Sequence, residues 1–179
     1  MSPNSELLIT VCPAAGLSAA ERSDIIALCS LAYEEDAEPW ITPLVAPVHV
    51  IGRIDGRMVS HAAWVERWLQ PEGLPPLRTA YIEAVATHPD MQRRGLGSRI
   101  MAALPALLGD FELGGLAPSD AGFYARLGWE SWLGPLSVRT PEGLVASEGE
   151  EAMILRLPRT PALDVTVGLS IEGRDGEVW

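Results

Sequence analysis

The seven residues of a glycine-spaced basic turn carry the clearest chemical signal in this chain: Gln92, Arg93, Arg94, Gly95, Leu96, Gly97 and Ser98. A run of β-formers, residues 79–87, precedes the turn, and apolar residues at helical spacing follow it. Unpaired backbone N–H groups and the helix dipole attract anions at a helix start. Glycines let the backbone approach an anion closely, and arginines add charge. The pattern therefore predicts a diphosphate-binding loop rather than an ordinary strand–helix connection.

A candidate base precedes this turn. Strand alternation places Tyr81, Glu83, Val85 and Thr87 on one face, and Glu83 is the only charged residue between Arg78 and His88. Burying an unpaired carboxylate is costly, so an acid among apolar neighbours is rarely there for stability. Desolvation raises the pKa of such a carboxyl towards that of a useful base. The alternative is a glutamate on an edge strand that faces solvent.

Composition excludes several classes of protein. With 179 residues, 47% of them hydrophobic, the chain predicts one domain over residues 1–179. A net charge of −11 argues against nucleic-acid binding, and the absence of lysine excludes a Walker A lysine and Schiff-base chemistry. Cys12, Cys29 and the three histidines lack the spacing of a metal site or a disulfide framework. No apolar run is long enough to span a membrane, so we expect a soluble, cytoplasmic protein without a membrane partner.

Acidic residues concentrate in two groups: Glu34, Glu35, Asp36 and Glu38, then Glu148, Glu150 and Glu151. The two groups could line one cleft and attract a cationic substrate, or each could be a solvated loop.

The local patterns predict an α+β protein whose helices flank a mixed, mostly antiparallel central sheet of about seven strands. Ser18 and Glu21 form a capping box before a helix, and Asp55-Gly56 predicts a hairpin. Pro105 should kink or shorten the helix that it interrupts. Helices are predicted at residues 19–32, 95–108 and 119–128, and strands at residues 7–12, 48–54, 58–69, 78–87, 111–116, 129–138 and 152–157. Residues 158–179 show little periodicity.

Several motifs resemble the GNAT N-acetyltransferases. The basic turn resembles that family's acetyl-CoA pyrophosphate loop, and residues 123–129, Phe-Tyr-Ala-Arg-Leu-Gly-Trp, resemble a later helix whose tyrosine faces the leaving thiol. The end of the sequence, Gly-Glu-Val-Trp at 176–179, is similar to the tail of aminoglycoside 2′-N-acetyltransferases. Together with Ser-His-Ala-Ala at 60–63, these motifs extend the resemblance to that branch over nearly the whole chain, which implies the GNAT fold.

The resemblance implies acetyl-CoA as cofactor and assigns a role to each residue of the acyl site. Glu83 would act as a general base through a water, and Tyr124 would protonate the leaving thiolate. The backbone N–H of Val85 would meet the acyl oxygen, and Thr87 would pair its backbone with the pantetheine arm. Without the resemblance, Tyr124 would be taken for a ring that packs on the sheet.

The resemblance also implies a substrate site. Residues 159–179 would fold back as a tail so that the Trp179 carboxylate touches the aminoglycoside, although a frayed tail is the general expectation. Asp36, Glu151 and Glu177 would join Glu83 and Trp179 against the substrate's amines. Pro39 departs from the branch, which has a further acid there, and Glu35 or Glu38 would substitute.

The sequence therefore predicts an acetyl-CoA-dependent enzyme that acetylates the 2′-amine of aminoglycosides. Direct attack in a ternary complex is expected, because no cysteine lies near the acyl site. The rival hypotheses are a GNAT enzyme for another small amine, a polyamine or a protein N-terminus, and a non-catalytic acyl-CoA sensor. The sequence leaves open whether the chain forms a homodimer.

Overall fold

The computed structural model describes residues 6–176 and 178–179. Its contacts divide the chain into two compact units. The first unit comprises Met1–Val65 and Ile82–Leu104, and the second comprises Glu66–Tyr81 and Pro105–Trp179. Four α-helices, two short 3-10 helices (Ala14–Gly16 and Pro89–Met91) and ten strands occur in the described residues. The first of them along the chain are β1 (Leu8–Pro13), α1 (Ala19–Tyr33), α2 (Glu38–Ile41), β2 (Val48–Ile54), β3 (Arg57–Pro71), β4 (Leu77–Thr87) and α3 (Leu96–Leu107).

Local signals set the element boundaries of the first unit. The predicted capping box is confirmed, because the Ser18 hydroxyl accepts from the Glu21 N–H and the Glu21 carboxylate accepts from the Ser18 N–H. The predicted hairpin is also confirmed, with left-handed φ angles of 50° at Asp55 and 78° at Gly56 between β2 and β3. Pro105 lies inside α3 near its end, as expected.

Antiparallel pairing joins β1 to β2 and β2 to the first half of β3. Helices α1 and α2 bury apolar residues against β2, β3 and β4, and the shared cluster includes Leu28, Cys29, Ile51 and Ala84. Helix α3 approaches β2 closely at Gly52, where an added Cβ would lie 3.1 Å from Ile100 Cδ1. Ile51 and Gly52 are consecutive in β2 and face opposite sides of it, so α1 and α2 pack on one face of these strands and α3 packs on the other.

The second unit contains the remaining elements: β5 (Leu113–Leu116), α4 (Ala121–Ala125), β6 (Glu130–Ser131), β7 (Leu136–Thr140), β8 (Gly143–Ala146), β9 (Met153–Arg156) and β10 (Leu169–Glu172). Within this unit, β4 pairs β5 in parallel, and β9 pairs both β5 and β6 antiparallel. Strand β10 pairs β3 antiparallel and β7 parallel, and β7 also pairs β8 antiparallel. The predicted α+β class with mixed, mostly antiparallel pairing is confirmed.

The single strand predicted over residues 129–138 is wrong. The structure divides it into β6 and β7, because the N–H groups of Leu133 and Gly134 turn towards the carbonyl of Val165. The chain passes so close that an added Cβ at Gly134 would lie 1.8 Å from the Val167 oxygen. Strands β8 and β10 were not predicted, and they raise the strand number above the expected seven.

No helix in the described part of the chain is long and apolar enough to cross a membrane.

Candidate active site

The second half of β4 contains a backbone irregularity at Ala84, whose φ of 53° lies in the left-handed region. Alanine rarely adopts this conformation, because its Cβ approaches the following carbonyl. Ala84 and Ala86 are buried, whereas Glu83, Val85 and Thr87 are half-buried. The face predicted for Glu83, Val85 and Thr87 is thus the more accessible face of β4.

Side chains hydrogen-bond four consecutive carbonyl oxygens of β4. The His61 ring lies 2.8 Å from the Ala84 oxygen, and the Tyr33 hydroxyl donates to Val85 over 3.1 Å. Ser60 donates to the Ala86 oxygen over 3.0 Å, and the Gln92 amide donates to Thr87 over 3.3 Å. These bonds hold the peptide planes of the segment in fixed directions. Of the donors, sequence reasoning had assigned a site role only to Gln92.

The basic turn has the backbone of an anion-binding loop. Arg93 and Gly95 both have left-handed φ angles, 58° and 74°, and α3 begins at the next residue, Leu96. Left-handed residues in a turn open a concave arrangement of N–H groups, and the start of α3 adds its dipole. A Cβ on Gly95 would meet no atom within 4 Å, so the space beside this glycine is open. Arg93 and Arg94 are exposed, and the loop therefore fits a diphosphate.

Gly97 and Ser98 are half-buried in the first turn of α3, and the other predicted residues of the first unit are Glu83 and Asp36. Glu83 is half-buried, and its Oε1 atom is shielded from solvent. Asp36 is exposed, and its Oδ1 accepts a hydrogen bond from the Glu38 N–H over 3.1 Å. This bond places Asp36 in the turn that begins α2, and Tyr33 at the end of α1 forms an edge-to-face pair with Trp40 of α2.

Tyr124 lies on α4 in the second unit and is 5% exposed. Its ring packs edge-on against Phe123 and Trp129, and Asp120 caps the helix by accepting from the Phe123 N–H. Burial raises the pKa of Tyr124, while a hydrogen bond with Ser119 opposes the rise. The phenol therefore keeps its proton at neutral pH, as a general acid requires.

Trp179 borders a cavity of about 550 Å³ in the second unit. The indole is 8% exposed, and its Nε1 donates to Ser147 over 2.9 Å. Glu148 and Glu150 also line the cavity. Glu151 is exposed and is not in the cavity wall, so its role stays a prediction. Glu177 lies outside the described residues.

Arg67 connects the end of the described chain to β3 and is a residue that sequence reasoning missed. Its side chain is 5% exposed, its Nε lies 2.6 Å from a Glu172 oxygen, and its Nη1 donates to the Val178 carbonyl over 3.0 Å. A buried guanidinium requires such partners. The only available signal was an arginine inside the apolar pattern of β3, which predicts a buried partner without identifying it.

Comparison with known proteins agrees with this geometry. The model of the family described as "Acetyltransferase (GNAT) domain" matches residues 15–132. An aminoglycoside 2′-N-acetyltransferase from Mycolicibacterium fortuitum is 37% identical over 131 residues, which are 69% of this chain and 67% of the relative.

Solved structures share the fold. A GNAT family N-acetyltransferase from Escherichia coli, in complex with CoA, aligns with a TM-score of 0.68 and 18% identity over 98% of this chain and 93% of its own. A probable N-acyltransferase from Enterococcus faecalis aligns with a TM-score of 0.58 and 21% identity over 70% of this chain. The chain spans 33% of the length of that second protein.

Proposed function

Because the chain belongs to the GNAT acetyltransferase family, in its aminoglycoside 2′-N-acetyltransferase branch, we propose that it acetylates the 2′-amine of aminoglycosides. The family assignment makes the protein an N-acetyltransferase that uses acetyl-CoA. The proposal adds the acceptor and the roles of individual residues.

The observation that carries the proposal is the cavity beside Trp179. Its wall contains Glu148 and Glu150 and no basic residue among the described residues that line it. Two carboxylates favour ammonium groups over neutral or anionic ligands, and a volume of about 550 Å³ suits a small molecule. Ser147 and Trp179 provide a hydroxyl and an aromatic surface. The cavity therefore suits a polycationic small molecule with polar ring substituents.

The cofactor loop holds the donor. The backbone N–H groups near Arg93 and Gly95 would bind the diphosphate, with charge from Arg93 and Arg94. Thr87 would bind the pantetheine arm through its backbone, as an added strand does. When bound, acetyl-CoA supplies the acetyl thioester.

Three groups would then act on the reacting atoms. Glu83 would take a proton from the substrate ammonium through a water, which frees the amine lone pair to attack the acyl carbon. The Val85 N–H would donate to the acyl oxygen as negative charge develops there. The carbon–sulfur bond would break as the carbon–nitrogen bond forms, and Tyr124 would give its proton to the departing sulfur. The attacking nitrogen would then lose its second proton to the Tyr124 phenolate, directly or through water, which restores the phenol and leaves a neutral amide. The products are an amide and a free thiol.

The state of the cysteines supports direct transfer. Burial raises the pKa of the Cys29 thiol to about 12, so this residue is not a thiolate at neutral pH. The Cys12 thiol donates to the Pro13 carbonyl over 3.4 Å at the end of β1. Neither residue has the environment of a nucleophile that carries an acetyl group.

A thiol-release assay with acetyl-CoA and a panel of amines tests the proposal. We expect turnover with aminoglycosides that carry a 2′-amine, and little with matched aminoglycosides that carry a 2′-hydroxyl. Mass spectrometry of the product should place one acetyl group on the 2′-nitrogen. Equal rates with both groups, or a preference for polyamines or peptide N-termini, would contradict the assigned acceptor.

A further inference from the structure

The buried side chain of His61 hydrogen-bonds the carbonyl of the peptide group between Ala84 and Val85 and thereby orients that group. Its carbonyl oxygen belongs to the left-handed Ala84 and lies 2.8 Å from Nδ1 of His61, which has no solvent exposure. A left-handed alanine is strained, so its neighbours must hold it in that conformation. The bond from β3 to this oxygen is one such contact.

The bond determines which nitrogen of His61 carries the proton. A carbonyl oxygen only accepts, so Nδ1 must be the donor, and Nε2 of the neutral ring is then an acceptor. Nδ1 of His49 lies 2.9 Å from Nε2 of His61 and must donate to it. By donating to Nε2, His49, which is 4% exposed, stabilises the tautomer of His61 that can bind the Ala84 carbonyl.

The two rings remain neutral around pH 7. Burial lowers the pKa of His61 to about 3, and burial together with Arg22 lowers the pKa of His49. Cys29, whose sulfur lies 3.9 Å from Nδ1 of His61, carries a neutral thiol. Because both rings stay neutral, His49 donates to His61 and His61 donates to the Ala84 carbonyl throughout this pH range.

Because the peptide group is planar, the bond to the Ala84 carbonyl also constrains the N–H on the opposite side of β4. The carbonyl of Ala84 and the N–H of Val85 belong to one rigid plane and point in opposite directions. A donor on the carbonyl therefore sets where the N–H points, and it also polarises the amide so that the N–H becomes a better donor. Tyr33 and Ser60 bond the next two carbonyls, but those peptides contain the N–H groups of Ala86 and Thr87.

We propose that His61 is a positioning residue for acetyl transfer, which aims the Val85 N–H at the acyl oxygen, and that His49 fixes the tautomer that allows it. The inference rests on the proposed role of Val85, and it requires N-acetyltransferase activity but not the aminoglycoside specificity. His61 itself touches neither the acetyl donor nor the acceptor in this role.

Two His61 variants test the proposal, with turnover measured on whichever amine the enzyme acetylates fastest. His61→Asn places an amide donor near the position of Nδ1, whereas His61→Leu removes the donor. Losing an oxyanion donor outright lowers kcat by about 10²–10³-fold, and here the donor is only misdirected. We therefore expect His61→Leu to lower kcat by about 10–10²-fold with little change in KM for acetyl-CoA. His61→Asn should recover most of the loss.

Cys29→Ala is the matched control, because it removes a buried neighbour of the same ring and leaves the bond to Ala84 intact. It should lower the melting temperature without lowering kcat per folded molecule. Wild-type kcat in His61→Leu, or a loss in His61→Asn as large as in His61→Leu, would overturn the proposal.

Nitrogen chemical shifts provide a readout that does not depend on activity. In the wild-type protein, ¹⁵N NMR should show both histidines as neutral Nδ1–H tautomers, and His49→Phe should allow the Nε2–H tautomer of His61 to appear. A dominant Nε2–H form of His61 in the wild-type protein would overturn the positioning role, even in an enzyme with the proposed substrate. Correct tautomers without any preference for 2′-amines would instead contradict the proposed function alone.

Discussion

The indole Nε1 of Trp179 donates a hydrogen bond to the hydroxyl of Ser147 over a distance of 2.9 Å. Ser147 directly precedes Glu148, and the carbonyl of Val178 accepts from the buried Arg67. Residues 178 and 179 are therefore held by two hydrogen bonds beside the two carboxylates of the cavity. This arrangement makes the tail a candidate wall of the acceptor site.

Removing the indole donor should weaken acceptor binding. Trp179→Phe keeps an aromatic ring but loses the hydrogen bond to Ser147. A typical hydrogen bond of this kind contributes about 0.5–1.5 kcal/mol. We expect KM for the aminoglycoside to rise by about 2–10-fold in steady-state assays, with KM for acetyl-CoA unchanged. Trp68→Phe is the control, because Trp68 is an exposed tryptophan of β3 that does not line the cavity. Equal constants for the two variants would remove Trp179 from the acceptor site.

The cavity acids should act through their charge. Glu148→Gln and Glu150→Gln should each raise KM for the aminoglycoside at low ionic strength. The effect should shrink in high salt, because the Debye length falls from about 10 Å at 0.1 M to about 3 Å at 1 M. Glu142→Gln removes an exposed carboxylate that is outside the cavity wall and should change little. If all three variants respond alike, only the overall charge matters.

The cofactor loop should depend on Gly95. Gly95→Val introduces a branched side chain at φ 74°, in the open space beside the loop, and should raise KM for acetyl-CoA by tenfold or more, the scale of about 1.4 kcal/mol. Gly56→Val matches the backbone strain, because Gly56 has φ 78° and no atom within 4 Å of an added Cβ. A rise in the Gly56 variant as large as in the Gly95 variant would attribute the effect to strain alone. Circular dichroism checks that both variants fold.

The base and the acid should respond differently to pH. Glu83→Gln should depress turnover most at low pH, where the acceptor amine most needs help in losing its proton. Tyr124→Phe should slow turnover by on the order of 10²-fold, the scale of losing one general acid. Rate profiles of kcat against pH distinguish the two roles. If both variants keep wild-type turnover, positioning alone accounts for the rate.

The buried histidine should make stability sensitive to mild acid. Because the folded pKa of His61 is about 3, the unfolded chain takes up a proton near pH 6.5 that the folded chain refuses. The contribution of His61 is therefore complete above pH 6.5 and is lost as pH falls towards 3. Between pH 7 and pH 5 it amounts to about 2 kcal/mol. Urea unfolding should show that His61→Asn loses less stability over this interval, and an unchanged difference would contradict the burial argument.

Short-range patterns in the sequence determined the elements that position the cofactor loop. The capping box of Ser18 and Glu21, the hairpin at Asp55 and Gly56 and the turn before α3 each depend on residues within a few positions of one another. Steric preferences and caps act at that range, so a single sequence is enough to predict them. The basic turn also carried the family resemblance, and the comparisons confirm the family that it indicated.

Only the tertiary structure decided the contacts that join distant segments. The pairing of β10 with β3 and β7, the bonds of Arg67 to Glu172 and Val178, and the close approach of Gly134 to Val167 join segments far apart in sequence. Likewise, the motif Ser-His-Ala-Ala at 60–63 does not indicate that Ser60 and His61 both donate to carbonyls of β4. Alternation indicates which residues turn inward, but partner and register follow from packing of the whole chain.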